Sequence, residues 1–242
     1  MNATNDRRRY LRWTLSERLQ HWTLAISFIL LAVTGFALRY PEAGWAKPLL
    51  FFESSFGLRG LLHRLAALAF MAVSIYHIGY LLLASRGRAL LKAVWFSRTD
   101  WTDFWQNLRY FLGRRSSPPA FDHFSYVEKL EYWALIWGSV VMTVTGMLLW
   151  FEEIALALFP LWMFEVFTVI HLYEAWLATL AIFVWHFYFV IFNPEIYPLN
   201  TSMISGNMNE QEMEREHGRE LERLLAVEDE ASSDEKITAA EK

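Results

Sequence analysis

Four apolar stretches, each long enough to cross a bilayer, leave this chain little choice of fold. A helix needs roughly 20 residues to span the hydrocarbon core. The stretches lie near 19–38, 60–84, 130–151 and 163–192. In lipid each segment must satisfy its own backbone hydrogen bonds, which makes each of them a helix. Charge respects the same boundaries: no Lys or Arg falls between Lys129 and Arg215. The expectation is an all-α integral membrane protein, a four-transmembrane-helix bundle. The first apolar block is full membrane length and lacks a small-residue cleavage site, so it is read as a span and not a signal peptide.

The distribution of basic residues orients the spans. Arg7, Arg8, Arg9, Arg12 and Arg18 precede the first, and Arg86, Arg88, Lys92, Arg98, Arg109, Arg114 and Arg115 lie between the second and third. The opposite loops carry only Arg39, Lys47 and Arg59 between them. Both termini and the 85–129 loop are therefore expected to be cytoplasmic, in a bacterial inner membrane. In that loop Trp95, Trp101, Phe104, Trp105 and Tyr110 alternate with charge, the pattern of an amphipathic helix lying in the interface. Three regions follow: a cytoplasmic N-terminus (1–18), a membrane domain (19–206) and a charged, partly disordered tail (207–242), whose EQEMEREHGRELERLL run reads as a solvated helix. A net charge of −4 with clustered basic residues gives no nucleic-acid footprint, so lipid is the expected macroscopic partner.

The first and third spans repeat at an offset of 111 residues. Glu17-Arg18-Leu19-Gln20-His21-Trp22 matches Glu128-Lys129-Leu130-Glu131-Tyr132-Trp133, and Val33-Thr34-Gly35 matches Val144-Thr145-Gly146. In the second and fourth spans His63 corresponds to His171 and His77 to His186, at offsets of 108 and 109. A duplicated helix pair of parallel topology is the expected architecture.

Five of the seven histidines fall in or at the ends of these spans, where ionisable side chains are costly and usually functional. His63 and His77, 14 apart, return to nearly one helix face roughly 21 Å apart. His171 and His186, 15 apart, lie within about 60° of each other. The second and fourth spans run the same way, so His63 and His171 share an outer level and His77 and His186 an inner one. His21, opening the first span, joins the inner level. Two levels of facing imidazoles suit two stacked haems, each held by a histidine from two helices. Gly35, Gly79, Gly138 and Gly146, with Ala66, Ala67 and Ala69, give room for a flat macrocycle or for ordinary helix packing. Zinc and di-iron chemistry need carboxylates or several histidines at one level, and the spacing is far too long for one ion. The chain has no cysteine, which excludes disulfides, iron–sulfur clusters and covalent c-type haem within it. Arg18 and Lys129 inside, and Arg59 and Arg64 outside, are candidate propionate or quinone contacts. Glu174, one turn beyond His171, is a candidate for quinone-linked protons or for a helix–helix hydrogen bond.

The ordered set of Arg18-Leu-Gln-His21-Trp22, Leu62-His63-Arg64, His171…His186, the two Thr-Gly steps and Asn193-Pro194-Glu195 resembles the bacterial cytochrome b561-type membrane subunits. These include the formate dehydrogenase gamma subunit and the nickel–iron hydrogenase cytochrome b, and the di-haem b subunits that accompany multihaem c-type cytochromes are similar. The resemblance covers roughly residues 12–200. It implies two b haems, with His63 and His171 on the outer iron and His21 and His186 on the inner. His77 is extra to that scheme: it is a rival for the inner iron, a quinone or propionate contact, or a ligand of a third haem. The implied function is electron transfer between menaquinone or ubiquinone and an extracytoplasmic iron–sulfur or multihaem cytochrome subunit, with no catalytic residue in this chain itself. The rivals are a self-contained quinol or superoxide oxidoreductase and a non-redox anchor or transporter. Span interiors free of Pro argue against the transporter.

Overall fold

The structure, a computed structural model, describes residues 8–194 and 196–240. Its long helices are α1 (Leu15–Arg39), α3 (Leu58–Leu83), α6 (Tyr126–Trp150) and α8 (Leu161–Leu180). The helical path of α8 continues to Phe192, and these four are long and apolar enough to cross a membrane. Between them lie α2 (Lys47–Phe56), α4 (Ser85–Val94), α5 (Arg98–Phe111) and α7 (Glu152–Leu158). After α8 come α9 (Ser202–Ser205) and α10 (Glu210–Ala240). The chain groups into two compact units: Leu15–Arg88 with Trp133–Asn200, and the N-terminal segment to Thr14 with Ala89–Tyr132 and the segment from Thr201.

In the first unit the apolar side chains face outward, as lipid-facing helices require; Ile75 is 70% exposed and Leu83 81%. The duplication is visible in the elements. Helices α1 and α6 are both 25 residues long and begin and end at the same 111-residue offset. The fourth span departs from its counterpart. From Ala181 to His186 and from Tyr188 to Phe192 its backbone is π-helical. Fifteen α-helical residues overshoot whole turns by roughly 60°. The wider π turn advances less per residue and takes up much of that overshoot. The residue that makes His171 and His186 one position further apart than His63 and His77 is thus absorbed in the turns leading to His186.

The second unit contains one two-stranded sheet that the sequence reading did not anticipate. Strand β1 (Arg9–Leu11) pairs antiparallel with β2 (Asn207–Asn209), Tyr10 opposite Met208. Met208, Met213 and Leu221 form a small core against Tyr10, Leu224 and Leu225. Capping boxes open its helices. Asp100 accepts from the Ser97 backbone, Glu128 from Ser125, and Glu212 from Asn209 at 2.6–2.8 Å. Helix α5 turns its carboxylates inward. Asp100 grips Lys129 at 2.8 Å and Asp103 meets Arg219 at 3.1 Å. Its aromatic side faces out: Trp101 is 64% and Phe111 75% exposed, and Trp101, Phe104 and Trp105 pack ring to ring at 5.4–5.7 Å. An exposed aromatic face of this kind is what a helix in the membrane interface presents.

Helix α10 breaks at His217, whose ring Nδ1 lies 2.9 Å from the Asp122 carbonyl. Burial and the neighbouring Arg12 guanidinium hold His217 below the usual imidazole range. Burial works against the Glu220 carboxylate, but His123, Arg12 and His217 keep it low. Burial likewise opposes Asp100, which Lys129 and Ser97 keep low. For all three the unfolded chain takes up protons first as pH falls, so folding loses free energy. Glu216, raised by burial, acts in the opposite sense. Stability of this unit should therefore be full above about pH 6.5, then fall through the His217 window and again through the carboxylate range. Hydrogen exchange at 207–225 should be faster at pH 5 than at pH 7.5 after correction for intrinsic rates; equal protection would contradict this ledger.

Candidate functional site

All five membrane histidines lie in the first unit. Four of them fall into two pairs and His77 stands apart; among the described residues no three His, Asp or Glu converge on a point suited to a metal ion. At the inner level the His21 and His186 ring centroids are 6.4 Å apart, with planes inclined at 38°. Two imidazoles on opposite sides of one metal ion, each bonded at roughly 2 Å, place their centroids about 6 Å apart. The observed gap fits one iron between them. His21 Nδ1 is buried with no hydrogen-bond partner among the described residues. A buried ring nitrogen is rarely left so, and the vacancy suits a ligand role for this ring.

His77 is engaged differently. Its Nδ1 lies 2.7 Å from Gln20 Oε1, which can only accept, so Nδ1 carries the proton. One turn away Tyr80 donates to Glu17 Oε1 at 2.8 Å, and Arg86 Nε reaches the same oxygen at 2.8 Å. Ser16 and Tyr76 hydroxyls lie 3.2 Å apart. The start of α1, the end of α3 and Arg86 of α4 thus carry a polar, protonatable cluster that extends to Gln20, the residue before His21.

The outer level shows the duplication at atomic detail. Thr34 Oγ1 on α1 lies 2.8 Å from His63 Nδ1 on α3, and Thr145 Oγ1 on α6 lies 2.9 Å from His171 Nδ1 on α8. His63 and His171 are near enough for their charges to interact. The adjacent glycines make space for the rings. A Cβ at Gly146 would sit 3.2 Å from His171 Cε1, and one at Gly35 would sit 3.5 Å from His63 Cε1. At Gly138 it would meet Glu174 Oε1 at 2.8 Å, while at Gly79 it would meet nothing within 4 Å. Gly146→Ala should therefore cost about 1–3 kcal/mol in local packing and reduce haem content. Gly35→Ala and Gly79→Ala should leave haem content near wild type. Equal haem content in all three variants would show that the glycines play no such part.

The predicted cationic contacts divide. Arg18 is half-buried on α1, next but two to His21. Arg64 lies over the Trp150 ring at 5.4 Å, and Arg59 Nη1 is 3.5 Å from the Thr34 carbonyl oxygen. Lys129, despite matching Arg18 in the repeat, belongs to the second unit and is held by both oxygens of Asp100 at 2.8 and 2.9 Å. The sequence reading saw Thr34 and Thr145 only as marks of the repeat; their contact with histidine across the helix pair was missed. Their recurrence at the repeat offset was the one available signal.

The helix unit thus presents histidine pairs at two levels, with a gap wide enough for one iron between His21 and His186. No curated protein matches the chain. A model of the family described as prokaryotic cytochrome b561 matches residues 12–206. The chain belongs to the prokaryotic cytochrome b561 family: a multi-pass membrane cytochrome b, a haem-b-binding electron-transfer protein.

Proposed function

We propose that this chain is the membrane subunit of a quinone-linked redox complex. In this reading His63 and His171 hold one b haem, and His21 and His186 the other. The observation that carries it is the 6.4 Å separation of the His21 and His186 rings, one iron wide. When bound, haem supplies one-electron exchange, with its potential set by axial ligands, hydrogen bonds and burial. The chain's own residues bind, orient and insulate. Apolar helices exclude water around both ligand pairs. Arg18 beside the inner pair, and Arg59 and Arg64 beside the outer, offer guanidinium groups to propionates. Lys129 is left out of this role because its ammonium is held by Asp100.

His77 is assigned to quinone rather than to iron. Its Nδ1 proton is fixed by Gln20, and the Glu17–Tyr80–Arg86 cluster beside it gives exchangeable protons a place to rest next to the inner pair. Termini on the cytoplasmic side would put that cluster on the inner face. An extracytoplasmic iron–sulfur or multihaem partner would then meet the His63–His171 level. The test is anaerobic addition of menaquinol or ubiquinol analogues to the purified protein in nanodiscs. The reading expects rapid haem reduction by at least one quinol, without steady turnover until an acceptor is added. Haem that dithionite reduces and neither quinol does would overturn the quinone link. Steady oxidation of quinol by the chain alone would favour a self-contained oxidoreductase.

A further inference from the structure

The hydroxyl of Thr145 has a single proton and three polar neighbours, the most distant being the Met142 carbonyl at 3.4 Å. Its Oγ1 is 2.7 Å from the Val141 carbonyl, one turn back in α6, and 2.9 Å from His171 Nδ1. The carbonyl can only accept, so the hydroxyl proton goes there and the oxygen faces the imidazole as an acceptor. His171 must then carry its proton on Nδ1, leaving the lone pair on Nε2. Thr34 repeats the arrangement, 2.5 Å from the Leu30 carbonyl and 2.8 Å from His63 Nδ1. Thr34 is 1% and Thr145 5% exposed, which keeps water from replacing either contact. Gly146, the residue after Thr145, leaves room for the His171 ring, which a Cβ there would crowd at 3.2 Å.

We propose that Thr34 and Thr145 are positioning residues that hold both outer histidines as Nε2 ligands and lower the reduction potential of the haem between them. The inference rests on the assignment of His63 and His171 to one iron. An acceptor on Nδ1–H makes an imidazole more electron-donating, which favours the ferric state. The guanidinium groups of Arg59 and Arg64 act in the opposite direction but are present in wild type and variants alike. At the inner level His77, not a ligand in this scheme, has the Gln20 acceptor, while His21 Nδ1 has no partner among the described residues. The threonine device therefore marks the outer couple.

The test is a potentiometric titration of the full chain in detergent, following the two haem couples separately. Thr145→Val keeps the shape and removes the acceptor. It should shift the outer couple toward the reduced form by roughly tenfold at fixed potential, an upward move of about 59 mV for one electron. Thr34→Val should move the same couple in the same direction. Thr145→Ser should restore the wild-type potential. The second couple should stay in place in every variant and report that the protein is folded. Loss of the outer haem in Thr145→Val, with retention in Thr145→Ser, would also support the role. An unmoved couple in Thr145→Val, different couples moved by the two threonines, or identical behaviour of Ser and Val would overturn it. If the wild-type chain carries no haem, the ligand assignment fails first.

Discussion

His21→Ala should bind one haem, and His77→Ala should bind two. The two histidines sit at one level of the sequence pattern, and in the proposed scheme they are rivals for one axial position. The structure separates them by what each ring touches. His21 faces His186 at 6.4 Å and keeps a buried nitrogen without a partner among the described residues, whereas His77 donates Nδ1–H to Gln20. Removing an axial ligand from a bis-histidine site removes the metal's second strong bond and the rigid wall on that side of the macrocycle. Removing His77 leaves both ligand pairs intact and instead strips the proposed quinone contact. His77→Ala should therefore slow quinol-driven haem reduction tenfold or more while dithionite still reduces both haems. The comparison is read from haem per chain and the spectrum of each variant. Full haem in His21→Ala with one haem in His77→Ala would reverse the assignment and pair His77 with His186.

Arg12→Ala should unfasten the unit built from the N-terminal strand, the 89–132 segment and the tail. Arg12 is 3% exposed. Its Nη1 is 2.9 Å from Glu220 and from His123 Nδ1, its Nη2 donates to the His123 carbonyl, and Glu128 lies at 3.8 Å. The guanidinium also lies over the Trp13 and Phe124 rings at 5.1 and 5.5 Å. Truncation leaves Glu220 and Glu128 without their shared cation. Breaking one partner out of such a buried network costs about 3–5 kcal/mol. The small core of Met208, Met213 and Leu221 has little to set against that. Hydrogen exchange or limited proteolysis should show residues 9–13 and 207–225 opening together. Unchanged protection at both would show that Arg12 is not the fastener.

The spans and the duplication were legible because each depends on local pattern. Hydropathy located all four helices to within a few residues of their observed starts, and the Thr-Gly recurrence lies in two helices of equal length. What lay beyond the sequence needed a partner across space. Arg18 and Lys129 occupy equivalent repeat positions, yet Asp100 holds one of them in the other unit. The tail's density of Glu and Arg hid Met213 and Leu221, which cluster with Met208 and are packed against by Tyr10, Leu224 and Leu225, so a helix that reads as fully solvated carries a core. His123 and His217 lie outside the spans and drew no attention, though both sit in the charged network around Arg12. The π turns before His186 left only a trace, the change of offset from 108 to 109. Thr34 and Thr145 were visible as repeats, but their proton geometry depends on which helix lies opposite.

The measurement that tests the account most directly is haem b per chain, by pyridine haemochrome assay on purified protein made with ample haem, with a reduced-minus-oxidised spectrum. The account predicts two b haems per chain, falling to one in His21→Ala. Folded protein without haem, or two haems that survive in His21→Ala, would contradict the ligand assignment on which the proposed function stands.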